Sequence, residues 1–157
     1  MNIMFVCHGN ICRSPMAEFI LKDMLKGIGL LSNHSVSSCA TSTEEIWNGV
    51  GSPVYPPAKR ELLKHGISCE GKRAVQLKKS DYEKYDMFIC MDGNNVRNAI
   101  KILGGDPCGK IKKLLSFIGS DRDVSDPWYT DDFETAYSDI SSGCKALLNL
   151  IKGENSK

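Results

Sequence analysis

The apolar residues of the chain fall into short uninterrupted runs and into longer stretches with helical spacing. The short runs predict four strands, at 3–6, 36–40, 85–91 and 111–118. The longer stretches predict helices from Ser14 to Gly27 and Gly29, and at 58–65, 94–103 and 133–151. Two segments predict loops, namely 41–57, which is rich in Thr, Ser, Gly and Pro, and 121–130, which is polar and broken by Pro127.

Strands that alternate with helices in this order predict an α/β fold. We expect a single domain over 1–157, with an open four-stranded parallel sheet and helices on both of its faces. Ligands of such sheets bind at the carboxyl ends of the strands. The loop at 7–14, which follows the first strand and opens the first helix, is therefore the expected binding site.

Composition and charge narrow the class of protein. The 157 residues are 41% hydrophobic and 25% charged, which is typical of a soluble globular domain. The net charge is +1, so nucleic acid and membrane surfaces are not expected partners. The apolar N-terminal stretch has no basic region before it and is not expected to be a signal peptide. Seven cysteines, an odd number, favour a reducing cytoplasm with most thiols free.

Residues 7–14, which read CHGNICRS, carry the candidate chemistry. In a strand-to-helix loop the backbone N–H groups point inward, and the start of the helix adds positive potential, which together favour a bound anion. Gly9 allows close approach of the backbone, and the planar guanidinium of Arg13 matches phosphate oxygens. These surroundings favour the thiolate of Cys7, a nucleophile, and Ser14 can donate to its sulfur.

Other interpretations of this loop fit less well. The Gly-Lys-Ser/Thr ending of a nucleotide P-loop and the three glycines of a dinucleotide site are both missing. Cys7 and Cys12 have a spacing found in zinc sites, but no second pair of ligands completes four. We therefore expect no metal and no cofactor. A buried cysteine beside an ordinary surface arginine is the non-functional alternative.

Five segments of the chain resemble the low-molecular-weight protein tyrosine phosphatases, and they occur in the family's order across nearly the whole chain. They are 6–15 (VCHGNICRSP), 36–41 (VSSCAT), 65–67 (HGI), 88–92 (FICMD) and 126–134 (DPWYTDDFE). The resemblance implies a protein tyrosine phosphatase that acts on phosphotyrosine and small aryl phosphates.

The resemblance also implies a role for each catalytic residue. Cys7 attacks phosphorus and forms a cysteinyl-phosphate, while Arg13 and the loop amides hold the phosphoryl oxygens. Asp126 is the general acid that protonates the phenolate, and it then acts as the base on water. The other residues that it assigns to the phosphate-binding loop are His8, Gly9, Asn10, Ile11, Cys12 and Ser14.

Further residues are expected around this centre. Asn10, Ser38 and His65 are assigned to a shell that supports the loop, although His65 is equally well explained as a histidine at the end of a helix. Asp92 either assists Asp126 or caps the next helix, and we favour the cap.

Aromatic residues and a second thiol complete the expected site. Trp47, Trp128 and Tyr129 are candidate walls for the substrate ring. Residues 42–51, which contain Trp47, form a longer loop here than in the family's pattern. His8 is expected at the mouth of the site. Cys12 is expected to form a disulfide with Cys7 under peroxide, which protects the nucleophile.

Three alternative functions share the loop. An arsenate reductase needs two further relay cysteines, and the spacing of the remaining thiols does not supply them. A protein-arginine phosphatase typically has threonine where Ile11 stands. A phosphate-reading module without turnover leaves Asp126 unexplained. As partners we expect phosphotyrosine-containing proteins, with the enzyme itself a monomer that can associate weakly through the exposed aromatic residues.

Overall fold

The computed structural model describes residues 1–155. The six strands are β1 (Asn2–Cys7), β2 (Ser35–Ala40), β3 (Ile46–Trp47), β4 (Val50–Gly51), β5 (Met87–Cys90) and β6 (Ile111–Lys113). The five α-helices are α1 (Arg13–Gly27), α2 (Pro56–Lys64), α3 (Gly93–Leu103), α4 (Pro127–Thr130) and α5 (Phe133–Asn155).

The predicted parallel sheet is confirmed. Its four strands lie in the order β2-β1-β5-β6, and every neighbouring pair is parallel. β1 pairs with β2 from Asn2 to Cys7 and with β5 from Ile3 to Val6, so its carboxyl end lies at the centre of the sheet edge. The phosphate-binding loop, residues 7–14, starts from this central position.

Helices cover both faces of the sheet, as predicted. Alternate residues of β1 point to opposite faces: Ile3 and Phe5 are buried in the larger core with residues of α1, α2 and α5. Met4 and Val6 are buried in the smaller core beside α3. A strand that is apolar on both faces reads as a continuous hydrophobic run, which explains why β1 was predictable.

The predicted strand at 111–118 is wrong beyond residue 113. β6 ends at Lys113, and Leu114–Ile118 forms a 3₁₀ helix that ends at Gly119, whose φ is 75°. Leu114 and Leu115 leave the sheet and are buried in the larger core. An apolar run of this length does not by itself distinguish a strand from a short buried helix.

The predicted loop at 41–57 contains structure that the prediction missed. β3 and β4 form a small antiparallel hairpin, with Asn48 and Gly49 at φ 50° and 77° in its turn. Helix α2 begins at Pro56, two residues before the predicted start. In the other predicted loop, at 121–130, Asp126 starts the short helix α4. Within residues 1–155 no helix is long and apolar enough to span a membrane.

Candidate active site

The phosphate-binding loop places its donors around the sulfur of Cys7. The backbone N–H of Asn10 donates to Cys7 Sγ at 3.3 Å, and Ser14 Oγ lies 2.9 Å from the same sulfur. Cys7 is the last residue of β1, and Arg13 and Ser14 open α1, so the loop joins a fixed strand to a fixed helix. Asn10 has φ 59°, a left-handed conformation that asparagine tolerates better than most residues.

The side chain of Asn10 links the loop to the strand beside it. Its Nδ2 donates to Ser14 Oγ at 2.7 Å and to Ser38 Oγ at 2.9 Å. Its Oδ1 accepts from the backbone N–H of Val75 at 3.0 Å. These three bonds use the whole amide and hold the loop in its left-handed turn, so Asn10 and Ser38 lie where a supporting shell requires them.

Arg13 is a buried cation surrounded by acceptors. Only 3% of its side chain is exposed. Its guanidinium donates to Asp92 Oδ2 at 2.8 Å, to the carbonyl of Val124 at 2.8 Å and to Asp126 Oδ2 at 3.4 Å. Burial acts to lower the pKa of Arg13, but Cys7, Asp126 and Asp92 outweigh it, so the pKa is raised above its ordinary value. A fixed guanidinium therefore lines the same pocket as Cys7.

Asp92 caps α3, as the sequence interpretation favoured, and it also pairs with Arg13, a contact that was not predicted. Its Oδ1 accepts from the backbone N–H of Asn95 at 2.7 Å and so caps α3. Its Oδ2 is the shortest carboxylate contact of Arg13. The residue therefore fixes the guanidinium to the start of a helix, and it does so from the carboxyl end of β5.

Asp126 also lines the pocket, at the start of α4. Its Oδ1 accepts from the backbone N–H of Trp128 at 3.1 Å, and its Oδ2 faces Arg13. The adjacent Pro127 has no N–H to satisfy and begins the helix directly. This turn aims the carboxyl group into the same pocket as Cys7.

The pocket is lined by the loop and by two groups of residues at its mouth. Trp128 and Tyr129 border it on the side of α4 and are 52% and 83% exposed. Glu44 and Glu45 border it on the other side, and Glu44 lies 3.0 Å from His8. All the predicted loop residues from His8 to Cys12 line the pocket. The two glutamates were not predicted, because their segment read only as a loop.

Two predicted site residues lie elsewhere. Trp47 is 72% exposed in the β3–β4 hairpin and does not line the pocket, because the longer segment carries it outward. His65 lies at the end of α2, where it contacts Glu61 at 3.3 Å and stacks on Tyr137 with ring centroids 3.8 Å apart. These contacts favour the helix-end explanation of His65. Lys72 lies beside Ser38 and donates to the backbone carbonyl of Ser38 at 3.0 Å.

Cys12 is the second thiol of the loop, and it is buried. Burial raises the pKa of its thiol, Cys7 and Asp126 raise it further, and Arg13 acts in the opposite direction. Cys12 is therefore held as a neutral thiol next to Cys7. Within residues 1–155 no cluster of three or more His, Cys, Asp or Glu side chains has the arrangement of a metal site.

The fold and the loop together define an α/β protein with a cysteine and an arginine in an anion-binding turn at the central strand. The family model for the low molecular weight phosphotyrosine protein phosphatases matches residues 2–157. The chain belongs to this family.

Individual relatives agree with this assignment. The chain is 36% identical over 155 residues to the low molecular weight protein-tyrosine-phosphatase YfkJ of Bacillus subtilis, covering 98% of this chain and 97% of YfkJ. The crystal structure of YfkJ matches with a TM-score of 0.91 at 35% identity, over 98% of this chain and 96% of that one. PtpA of Staphylococcus aureus is 35% identical over 158 residues, covering 99% and 97%.

Similar structures include proteins that are named arginine phosphatases. The structure of the Drosophila arginine phosphatase DARP matches with a TM-score of 0.83 at 27% identity, over 97% of this chain and 98% of that one. The fold alone therefore does not determine whether the substrate is phosphotyrosine or phosphoarginine, and the residues of the pocket must determine it.

Proposed function

We propose that the chain is a protein tyrosine phosphatase that hydrolyses phosphotyrosine and small aryl phosphates through a cysteinyl-phosphate. The observation that carries this proposal is the buried guanidinium of Arg13, which Asp92 and Asp126 hold in the pocket that Cys7 also lines. A fixed cation and a ring of backbone N–H groups stabilise the charge that spreads over the phosphoryl oxygens in the transition state.

In the first step the Cys7 thiolate attacks phosphorus in line with the ester oxygen. The S–P bond forms as the P–O bond to the aryl group breaks, and the leaving oxygen takes the electron pair. Asp126, protonated at this stage, donates its proton to that oxygen, so a neutral phenol departs. Its place in the same pocket as Cys7 supports this role.

In the second step water attacks the cysteinyl-phosphate. Asp126, now ionised, accepts a proton from the water as the water oxygen bonds to phosphorus. The S–P bond breaks and the electron pair returns to Cys7. The N–H of Asn10 and the hydroxyl of Ser14 lie within hydrogen-bond distance of that sulfur and stabilise the departing thiolate.

The aromatic residues at the mouth support an aryl substrate. Trp128 packs against Tyr55 with ring centroids 4.9 Å apart, so its ring has a fixed neighbour at the edge of the pocket. Tyr129 is largely exposed next to it. A flat ring can stack between the loop and these side chains, and the depth of the pocket then favours a long aryl phosphate over phosphoserine.

The first test measures hydrolysis of para-nitrophenyl phosphate with EDTA present. We expect turnover by the wild type, none by Cys7→Ser, and a kcat lower by a factor of about 10²–10⁴ in Asp126→Asn. Asp121→Asn, in which the substituted aspartate is exposed and outside the pocket, is the matched control and should retain wild-type kcat.

Three further assays separate the alternative functions. Faster hydrolysis of phosphoarginine than of phosphotyrosine in matched peptides would identify an arginine phosphatase. Reduction of arsenate with thioredoxin, without aryl phosphate turnover, would identify a reductase. Binding of phosphotyrosine peptides without turnover would identify a phosphate-reading module. Each of these results contradicts the proposal.

Redox protection of Cys7 is a second part of the proposal. Peroxide oxidises the Cys7 thiolate to a sulfenic acid, and the Cys12 thiol then displaces water to form a Cys7–Cys12 disulfide. Oxidation removes the negative charge of Cys7, which is one cause of the raised pKa of Cys12, and this eases the second step. Mass spectrometry after peroxide should detect the disulfide in the wild type. In Cys12→Ser it should instead detect sulfinic Cys7.

The proposed setting follows from the chemistry. A thiolate nucleophile requires a reducing compartment, so we place the enzyme in the cytoplasm with phosphotyrosine-containing proteins as its substrates. We propose a monomer that associates weakly through Trp128 and Tyr129. Sedimentation should therefore give a monomer at low concentration, with a concentration-dependent increase that Tyr129→Ser reduces.

A further inference from the structure

A buried carboxylate behind the phosphate-binding loop has no part in the steps described above. Glu18 lies on α1, one turn after Ser14, with 5% of the residue exposed. Its Oε2 pairs with Lys22 Nζ at 2.6 Å, and its Oε1 lies 3.6 Å from Lys72 Nζ. Glu18 Oε1 also accepts from Ser38 Oγ at 2.6 Å. A carboxylate oxygen can only accept hydrogen bonds, so the Ser38 hydroxyl is the donor in this contact.

Lys72 binds this carboxylate from outside α1. It lies between β4 and β5 in sequence and donates to the Ser38 carbonyl at 3.0 Å. Burial lowers the pKa of Lys72, whereas Glu18 and Cys39 act to raise it. The contacts of Lys72 thus join α1, β2 and the segment that follows α2 at a single charged group.

The donors and acceptors from Glu18 to Cys7 form one continuous chain. The amide of Asn10 is oriented by the backbone N–H of Val75, which donates to Oδ1. Its two N–H groups must therefore point at Ser14 and Ser38, and both hydroxyl oxygens accept. Each serine is left with one proton to place elsewhere.

The position of each remaining proton then follows. Ser38 donates to the Glu18 carboxylate. Ser14 has two neighbours that can accept, Cys7 Sγ at 2.9 Å and the Cys39 carbonyl at 3.4 Å, and the sulfur is the nearer. The distance between Ser14 and Cys7 does not by itself say which atom donates. The chain assigns the proton to Ser14, so its hydroxyl stabilises a thiolate.

We propose that Glu18, held between Lys22 and Lys72, is a positioning residue that accepts the Ser38 proton, so that Ser38 can accept from Asn10 and the Ser14 proton stays on the Cys7 sulfur. The proposal rests on the proposed phosphatase function for its effect on kcat. Its effect on the thiolate of Cys7 does not depend on that function.

The opposite direction shows what Glu18 prevents. A donor in place of the carboxylate gives Ser38 two incoming N–H groups and no acceptor for its own proton. The conflict is relieved if the Asn10 amide turns over, so that Oδ1 accepts from Ser38 and Ser14 together. The Ser14 proton then leaves Cys7, and the Val75 N–H loses its acceptor. The carboxylate makes this arrangement unfavourable.

Glu18→Gln tests the proposal, because it keeps the shape and removes the charge. Lys22 lies 2.6 Å from Oε2, closer than Lys72 lies to Oε1 at 3.6 Å, so the amide oxygen of the variant stays with Lys22 and its nitrogen takes the place of Oε1 beside Ser38. The measurement is the rate of Cys7 alkylation by iodoacetamide against pH, read from the Cys7 peptide by mass spectrometry. We expect the midpoint to rise by about one pH unit, which is the loss of one hydrogen bond to a charged group.

Steady-state kinetics with para-nitrophenyl phosphate provide the second measurement. We expect kcat to fall by about tenfold in Glu18→Gln, with KM changed by less than about threefold, because the loop amides and Arg13 remain in place. Lys72→Gln keeps a donor for the Ser38 carbonyl but removes one charge. It should move the midpoint in the same direction by a smaller amount, and it tests the proposal even where Glu18→Gln does not fold.

Glu61→Gln is the matched control. Glu61 is another buried glutamate, 4% exposed, which pairs with Lys64 and His65 on α2 away from the pocket. It should lose stability as Glu18→Gln does and keep the wild-type alkylation midpoint. A folded Glu18→Gln with the wild-type midpoint, or an equal shift in Glu61→Gln, would overturn the proposal. A wild type without phosphatase activity would refute the proposed function, while the alkylation profiles would still decide this one.

Discussion

The contact between Arg13 and Asp92 predicts a large loss of stability when Asp92 is replaced. Asp92→Ser removes the carboxylate that accepts from the guanidinium at 2.8 Å, but serine can still cap α3 through the N–H of Asn95. Asp92→Ala removes both contacts. The two variants therefore separate the ion pair from the cap.

The magnitude follows from how Arg13 is buried. Removing one partner of a buried ion pair costs about 3–5 kcal/mol, because the remaining charge is uncompensated. Arg13 keeps the Val124 carbonyl and Asp126, and Asp92 is itself 18% exposed, so the lower end applies. We expect a loss of about 3 kcal/mol for Asp92→Ser. The cap adds about 1 kcal/mol in Asp92→Ala.

Urea unfolding followed by circular dichroism measures both values. In thermal unfolding the loss in Asp92→Ser corresponds to a decrease of about 6–12 °C in Tm for a chain of this length. Asp132 is the matched control, because it caps α5 through the N–H of Thr135 but is exposed and holds no arginine. Asp132→Ser should unfold at the wild-type urea concentration. An Asp92→Ser variant within about 1 kcal/mol of wild type would refute the assigned compensation of Arg13.

Three further predictions concern other parts of the fold. Tyr55→Leu removes the ring that packs on Trp128. It should lower kcat on aryl phosphates by about tenfold without changing Tm by more than a few degrees. An unchanged kcat would contradict this role of Tyr55. The pKa of Asp106 is lowered: burial acts to raise it, but hydrogen bonds from a tyrosine hydroxyl and two backbone amides outweigh burial. These bonds therefore stabilise the fold above the ordinary aspartate pKa, and their contribution is lost as the pH falls through the lowered pKa. Urea unfolding of Asp106→Asn should therefore show a smaller loss of stability than wild type on going from neutral pH to below about pH 4, and an equal loss would contradict it. Gly143→Ala places a Cβ 2.5 Å from Leu114 Cγ and should cost about 1–3 kcal/mol in urea unfolding, whereas a neutral result would mean that the core there is loosely packed.

The elements that depend on local sequence were predictable. β1 is an apolar run that is buried on both faces, and Ser14 with Pro15 gives α1 a recognisable start. The phosphate-binding loop between them is short, so its backbone has few conformations that join the strand to the helix. Its donors therefore surround Cys7 much as the residue types indicated.

The hairpin of β3 and β4 had a signal that the sequence interpretation overlooked. Asn48-Gly49 is a favoured pair for a two-residue hairpin turn, because both residues tolerate positive φ. The hairpin carries Trp47 away from the pocket and leaves Glu44 and Glu45 beside it. The error at β6 has a different cause, since the burial of Leu114 depends on packing against α5 rather than on its own segment.

The charged groups behind the loop could not be predicted from spacing. Glu18 lies on a helix between apolar positions, and Lys72 lies in a polar segment, so each reads as a surface residue. They meet because β2 places Ser38 between them. In the sequence Ser38 is 20 positions from Glu18 and 34 positions from Lys72. His65, which was assigned to the supporting shell from a short motif, lies outside this group at the end of α2.

The most direct test of the central claim is a rapid-quench experiment that identifies the phosphorylated residue. Wild-type enzyme and Asp126→Asn are mixed with a phosphotyrosine peptide and stopped in acid within milliseconds, and the phosphorylated peptide is located by mass spectrometry. The account predicts phosphate on Cys7, formed and lost in the wild type and formed more slowly in Asp126→Asn. Turnover without phosphate on Cys7, or phosphate on another residue, would contradict it.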